Sequence, residues 1–407
     1  MHFSQSVAII QSQVGTIRGV QVLYSDQNPL SVDLVINMPL DGVRLIFDPV
    51  AQRLKIIEVY NMKLVKLRYS GMCFNSPEIA PSIEQVEHCF GATHPGLYDS
   101  QRHLFALNFR GLSFYFPVDS KFQPGYAHGL GSLQFPNGAS PVVSRTTIYH
   151  GSQHQASAGG ASSAPLPELP LSCYRHQLHL RRCDVLRVAG ATVGLRLHMF
   201  TEGTTRALEP VKVSISRVVR FGDSCQAVAR ALGAPSRLFY KAEDKMRIHR
   251  PSPRRRPNPP ASDYFFNYFT LGLDILFDAR THQVKKFVLH TNYPGHYNFN
   301  MYHRCEFHLP VHPDKPESNP LVETGGAPAL VTAYSKWECV AGALRPRDRP
   351  VVLNRASSTN ATNPFGSTFC YGYQDIIFEV MSNNYIASIT LYQPEGARPP
   401  FRVNSLA

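Results

Sequence analysis

No stretch of this 407-residue chain approaches the roughly 18 consecutive apolar residues that a membrane-spanning helix requires. The opening MHFSQSVAII has neither the basic n-region nor the cleavage site of a secretory signal, so the chain is expected to be cytoplasmic. Cysteine is sparse: eight are scattered with no close-set framework, which fits reduced thiols better than a disulfide scaffold. The match of Asn360-Ala-Thr362 to a glycosylation acceptor carries no weight without a secretory signal. Equally missing are a Gly-x-Ser-x-Gly elbow, a Walker loop, a dinucleotide fingerprint and a His-Glu-x-x-His pair. With no nucleophile-and-base set in view, the chain is expected to have no enzymatic activity and no cofactor.

What is present favours a mixed fold of the α+β class. A hydrophobic content of 43% can bury one or two cores, and 32 prolines and 27 glycines between short apolar runs favour many short strands over long helices. The net charge of +12 makes acidic partners physically possible. Much of the excess sits in Arg250, Arg254, Arg255 and Arg256 of RPSPRRRPNPP, where the prolines forbid a regular helix or central strand. That stretch reads as a solvated loop or as a weak electrostatic contact with anionic lipid, phosphoinositide included, which phosphorylation of Ser252 before Pro253 would tune.

A recurring unit is the strongest internal signal. Four segments place apolar residues at i, i+3 and i+7, the stripe of a short amphipathic helix: Val7/Ile10/Val14, Ile83/Val86/Phe90, Cys225/Val228/Leu232 and Trp337/Val340/Leu344. Ser82 with Gln85, Asp223 with Gln226, and Ser335 with Glu338 form capping-box patterns at three of the starts. Gly15, Gly91 and Gly233 stand where left-handed caps belong, with Arg345 and Pro346 in the fourth. Downstream, a glycine leads an alternating strand that ends in phenylalanine: Gly42-VRLIF, Gly111-LSFYF, Gly272-LDILF and Gly372-YQDIIF. Each unit reads as a helix followed by an antiparallel meander, and the expected layout pairs the four repeats into two domains. The boundaries are 1–150 for the first pair, 151–172 for a small-residue linker, 173–395 for the second pair, and 396–407 for a tail. VGLRLHMF at 193–200 and VKVSISRVVRF at 211–221 read as strands, and 310–330 as a proline-rich loop.

Two His/Cys groups invite a metal reading. Cys173, His176, His179 and Cys183 have zinc-ligand types, but extended spacing puts His176 on the wrong face, and helical spacing opens the arc too far for one ion. His290, His296, His303 and Cys305 sit among glycine, proline, asparagine and tyrosine in VLHTNYPGHYNFNMYHRCEF, which reads as a turn. Its Tyr293, His296, Tyr297 and Asn298 are the candidate partner-binding residues, because exposed aromatics suit recognition. Cys225 and Asp223 read as a core residue and a helix cap. The aromatics of YFFNYFTLGLDILF fall on both strand faces, unlike an open base-stacking platform, so no nucleic-acid partner is expected.

Beyond these local readings, the strings VQVLYSDQNPLSVDLVIN, FGATHPGLY, LNFRGLSFYF, FGDSCQ, KAEDKMRIH, DYFFNYFTLGLDILFD, KKFVLHTNYPGHYNFN and NPFGSTFC are long and unusual. Through them the chain resembles the phagophore assembly factor family of autophagy proteins over nearly its whole length. The resemblance implies a non-catalytic adaptor that pairs with a WD40-type β-propeller protein and is recruited with it to the phagophore assembly site membrane. It also implies a strand-forming segment ahead of the first helix, so the first unit is expected to be short of an edge strand. The alternative is a vesicle or Golgi trafficking protein that binds anionic lipid directly through the basic loop.

Overall fold

The computed structural model describes residues 1–79, 81–91, 96–99, 101–118, 125–126, 133–134, 141–149, 178–188, 190–202, 212–241, 262–312, 329–346, 348–354 and 365–393. The chain divides into two compact units, Met1–Glu168 and Leu169–Ala407. It is a mixed, sheet-rich protein with four α-helices among the described residues and mostly antiparallel sheets.

In the first unit α1 (Phe3–Ser12) precedes β1 (Gln21–Leu23), β2 (Leu34–Met38), β3 (Val43–Phe47) and β4 (Leu54–Val59). A hairpin of β5 (Leu67–Tyr69) and β6 (Met72–Asn75) leads to α2 (Ile83–Phe90). Then follow β7 (Leu97–Asp99), β8 (Leu104–Phe109), β9 (Leu112–Pro117), the short pair β10 (Gly125–Tyr126) and β11 (Leu133–Gln134), and β12 (Arg145–Tyr149). The main sheet has the order β1-β2-β3-β4-β12-β9-β8-β7. Period-two alternation sends Leu34, Ile36, Phe47, Phe114 and Phe116 to one buried face, on which α2 adds Ile83 and Val86.

The second unit opens with β13 (His179–Val188), β14 (Ala191–Glu202) and β15 (Lys212–Arg220), then α3 (Cys225–Leu232). Next come β16 (Arg237–Tyr240), β17 (Tyr264–Tyr268), β18 (Leu273–Phe277), β19 (Val284–His290), β20 (Phe307–Val311) and β21 (Ala329–Thr332). The unit closes with α4 (Trp337–Leu344), β22 (Val351–Leu353), β23 (Thr368–Tyr373), β24 (Ile376–Val380) and β25 (Ile386–Tyr392). Its eight-stranded sheet runs β16-β17-β18-β19-β25-β24-β23-β22. A five-stranded sheet, β15-β14-β13-β20-β21, shares one continuous core with that sheet, α3 and α4. Its β13–β20 pair is parallel, which a simple meander does not contain.

The two large sheets correspond register for register but are covered differently. The row Leu45–Ile57–Ile148–Leu112 crosses the centre of the first, and Ile275–Phe287–Leu391–Ile376 crosses the second. Leu391 is 0% exposed because the five-stranded sheet lies in the same core, whereas Ile148 is 45% exposed.

Several local expectations shift. The first helix starts at Phe3 because His2 and Gln5 cap it reciprocally, so its inward stripe is Phe3, Ser6 and Ile10; Val14 is exposed beyond the helix, and Gln13 rather than Gly15 is the C-terminal cap. Ser224, not Asp223, caps α3 through Ala227 N, while Asp223 Oδ2 accepts from Arg220 N at 2.7 Å. Lys336 occupies the cap of α4 with no side-chain bond, and Ser335 Oγ accepts instead from Thr332 N at 3.0 Å. Gly372 lies inside β23; the turn falls at Gln374, whose φ of 53° supplies the left-handed residue that Gly42 and Gly272 supply elsewhere. Pro310 lies in β20, so the proline-rich loop begins later than expected. The linker 151–172, the tail 396–407, Cys173 and His176 lie outside the described residues.

The single tryptophan, Trp337, is buried in the second unit and reports its unfolding selectively. Ser224→Ala should lower that unit's stability by about 1 kcal/mol, and Lys336→Ser, which supplies a missing cap, should raise it by up to about 1 kcal/mol. Urea midpoints followed by Trp337 fluorescence check both signs.

Candidate functional site

The segment 291–304 leaves the end of β19 and crosses the face of the large sheet that points away from α3 and α4. It is held there by carboxylates set in otherwise apolar strands. Asp274 of β18 sits 2.8 Å from His290 Nε2, and both of its oxygens accept from the Tyr302 hydroxyl at 2.9 Å. Asn267 Nδ2 donates to Asp274 Oδ1 at 2.7 Å, and the His290 and Tyr302 rings stack with centroids 3.9 Å apart. Glu379 of β24 accepts from Thr368 Oγ1 at 2.8 Å and Ser388 Oγ at 2.7 Å, and lies 3.3 Å from His296 Nε2. All these groups are buried, and the donors around each carboxylate offset its desolvation.

A third anchor is Arg304, whose Nε donates to Thr291 O at 2.8 Å while the guanidinium lies between the Tyr293 and Tyr334 rings, 5.0 and 5.2 Å from their centroids. Tyr293 donates to Ala333 O at 2.9 Å, and Tyr334 to Glu306 Oε1 at 2.7 Å. Burial first, and then the neighbouring Glu306, push the Tyr334 phenol up to about 12. Burial likewise raises the phenols of Tyr293 and Tyr302, so all three stay protonated donors. At the segment's end Gly272, with φ of 65°, lets the backbone pass: a Cβ there would lie 2.4 Å from His303 O.

Of the four residues expected to meet a partner, Tyr293 and His296 are buried struts, Asn298 is half-buried and Tyr297 is exposed. Met301, absent from the sequence reading, is exposed as well. Asp274 and Glu379 were also missed there; their signal is a lone carboxylate inside the apolar runs LDILF and IIFEV. The basic residues Arg250, Arg254, Arg255 and Arg256 and the candidate phosphosite Ser252 lie outside the described residues. His290 and His296 face separate carboxylates, His303 faces His179 with ring centroids 6.0 Å apart, and Cys305 is buried in the core. Among the described residues no three His, Cys, Asp or Glu side chains gather as a metal site needs, and the seven cysteines are free.

A separate cavity of about 650 Å³ lies on the five-stranded sheet, lined by residues including Arg182, Asp184, His198, Ser216 and His308. Burial alone would raise the Asp184 carboxyl, but Arg182 at 2.6 Å and His198 at 3.1 Å together hold it below its ordinary value. Arg181 and Arg182 are matched in the lining by Asp184 and Glu306, which leaves the cavity little net charge. No described helix is long and apolar enough to cross a membrane.

Comparison with known proteins gives one consistent answer. Residues 1–392 match the family model for phagosome assembly factor 1. A PHAF1 protein of Drosophila melanogaster is 62% identical over 406 residues, covering 98% of this chain and 91% of that protein. PHAF1 proteins of Arabidopsis thaliana and Caenorhabditis elegans are 38% and 34% identical, covering 97% and 98% of this chain and 89% and 90% of theirs. No solved structure matches the chain.

Burial, followed by the neighbouring His179, lowers His303 from an ordinary 6.5 to about 4. The folded state therefore prefers neutral His303, and between those values the unfolded chain binds the extra proton. Stability from this group is complete above about pH 6.5 and falls as the solution is acidified, by about 2 kcal/mol between pH 7 and pH 5. Urea midpoints at the two pH values should show that loss, and His303→Asn should make the dependence shallower.

Proposed function

From the premise that the chain belongs to the phagosome assembly factor 1 family, we propose that it is a non-enzymatic autophagy adaptor that works with a WD40-type β-propeller partner at the phagophore assembly site membrane. The observation that carries this reading is the family match across residues 1–392, nearly the whole chain. The four-repeat layout, paired into two domains, belongs to the same proposal. Its support is the equal strand order of the two large sheets, each made of two four-stranded meanders joined through their last strands, β4 to β12 and β19 to β25. An adaptor of this kind works by surface shape, and the segment 291–304 suits the task. Its inner side chains are fixed by Asp274, Glu379 and Arg304, so Tyr297 and Met301 are presented on a preorganised backbone.

Recruitment to membrane then follows through the partner, with Arg250, Arg254, Arg255 and Arg256 as an auxiliary contact to phosphoinositide-bearing lipid and Ser252 as its phosphorylation-sensitive element. Co-purification of the full chain with the propeller protein tests the reading, and a chain that fails to co-purify overturns it. Tyr297→Ser combined with Met301→Ser should weaken the complex about tenfold, a loss of about 1.4 kcal/mol, without moving the melting temperature. Unchanged affinity would remove this segment from the interface.

A further inference from the structure

β16 (Arg237–Tyr240) ends the second unit's large sheet, and among the described residues only one side of it is bonded. Lys241 N donates to Asp263 O over 2.8 Å, and the pairs Phe239–Phe265 and Arg237–Asn267 continue that bonded register at every second residue. The N–H and C=O of Leu238 and Tyr240 therefore point away from β17, along the open edge. Side chains on both faces of this edge are apolar and accessible: Leu238, Phe239 and Tyr240 are 45%, 44% and 62% exposed. Natural edge strands are commonly blunted by shortness, charge, proline or a bulge; β16 has four residues and carries Arg237, but it has no proline and no register shift.

The surroundings are positively charged. Arg237 lies on the same face as Phe239, with its guanidinium 5.9 Å from that ring, and Lys241 follows the strand directly on that face. Asp263 and Asp278 are both engaged by Lys285, at 3.4 and 3.5 Å. Among the described residues no carboxylate forms an ion pair with Arg237 or Lys241.

We propose that β16 accepts an extended acidic segment of a partner protein as an added ninth strand, with the segment's apolar residues beside Leu238 and Tyr240 on one face and its carboxylates beside Arg237 and Lys241 on the other. Backbone bonds to Leu238 and Tyr240 supply affinity, and the two cations select against basic sequences. This surface is distinct from the segment 291–304 and does not depend on the identity of the propeller partner.

The test uses the full chain and two fluorescein-labelled nonapeptides, one alternating valine with glutamate and the other alternating valine with lysine, read by anisotropy. The glutamate peptide should bind at least tenfold more tightly than the lysine peptide. Leu238→Pro removes only an outward-facing donor, so it should keep the melting temperature and weaken the glutamate peptide about tenfold. The pair Arg237→Glu and Lys241→Glu should also abolish the preference between the two peptides, which keeps the test decisive if the proline variant misfolds. Equal binding of the glutamate peptide to wild type and a folded Leu238→Pro would overturn the proposal, as would no binding of either peptide. A dimer that Leu238→Pro converts to monomer in sedimentation would overturn it in favour of a second copy. Binding to phosphatidylserine vesicles that the charge changes abolish and the proline leaves intact would overturn it in favour of lipid.

Discussion

The contact on which both large sheets depend is a backbone hydrogen bond between the start of a helix and a hairpin turn. Phe3 N donates to Gln52 O at 2.9 Å, Cys225 N to His282 O at 3.0 Å, and Trp337 N to Asn384 O at 2.8 Å. Each donor is a first-turn N–H with no partner inside its own helix, and each acceptor belongs to a residue with positive φ: 53° at Gln52, 54° at His282 and 68° at Asn384. The left-handed turn aims its carbonyl at the helix, and the helix end satisfies it. The next residue in each case pairs with the helix cap as an isolated bridge: His2 with Arg53, Ser224 with Gln283, and Lys336 with Tyr385. Helix and meander are thereby locked at one point, and the apolar stripe follows the sheet face from there. In α2 the bridge is made by Ser82 with Val142, and Val143 N donates to Pro81 O at 2.9 Å.

This clamp explains which parts of the fold were legible in the sequence. Strand identity was readable at Val43, Leu45 and Phe47 or Leu273, Ile275 and Phe277 from the period of two in the sequence, although β18 is buried on both faces and β3 is half-buried on either side up to Phe47. The caps were not. Asp223 and Ser224 are equally good candidates by type, as are Ser335 and Lys336 by position, and the choice is made by which residue reaches a turn carbonyl some 50 residues away. At α1 the same long-range bond, together with the reciprocal cap of His2 and Gln5, moves the helix start back to Phe3 and leaves Val14 outside. The glycine rule failed at the fourth turn because Gln374 itself takes the left-handed region, φ 53°, with its side-chain oxygen accepting from Arg187.

The candidate site was half legible. Aromatics, histidines and asparagines in TNYPGHYNFN read correctly as a turn-forming segment, but composition cannot tell an outward tyrosine from an inward one. Tyr293 and Tyr297 differ only in what lies beneath them: Ala333 O and the Arg304 guanidinium receive Tyr293, and the Tyr297 side chain is exposed. The legible clue was on the other side of the contact, in the carboxylates of Asp274 and Glu379. A carboxylate in the middle of a central strand demands donors, and the residues that cross that face are the ones able to supply them. The edge of β16 was missed for the opposite reason. RLFY is too short for its alternation to stand out, and its significance comes from position at the end of a sheet, which periodicity does not encode.

The two units solve the same burial problem with different resources, and the difference bears on function. In the second, the five-stranded sheet buries the central row of the large sheet to 0% at Phe287, Leu391 and Ile376, so rigidity comes from apolar packing on one face. Its other face is fixed by hydrogen-bonded carboxylates, which are directional where apolar packing is not. A backbone held from both sides has little conformational entropy left to lose on binding, which is what the proposed contact at Tyr297 and Met301 draws on. In the first unit the equivalent row is partly open, and the far face carries instead a polar row in which Glu58 lies 3.2 Å from Arg145 and 3.6 Å from Arg44. Two meanders of the same order therefore present different chemistry: one a face crossed by a segment held through buried carboxylates, the other an apolar strip flanked by helices. Under the proposed adaptor role that asymmetry offers two unlike surfaces, which would select unlike partners without competing.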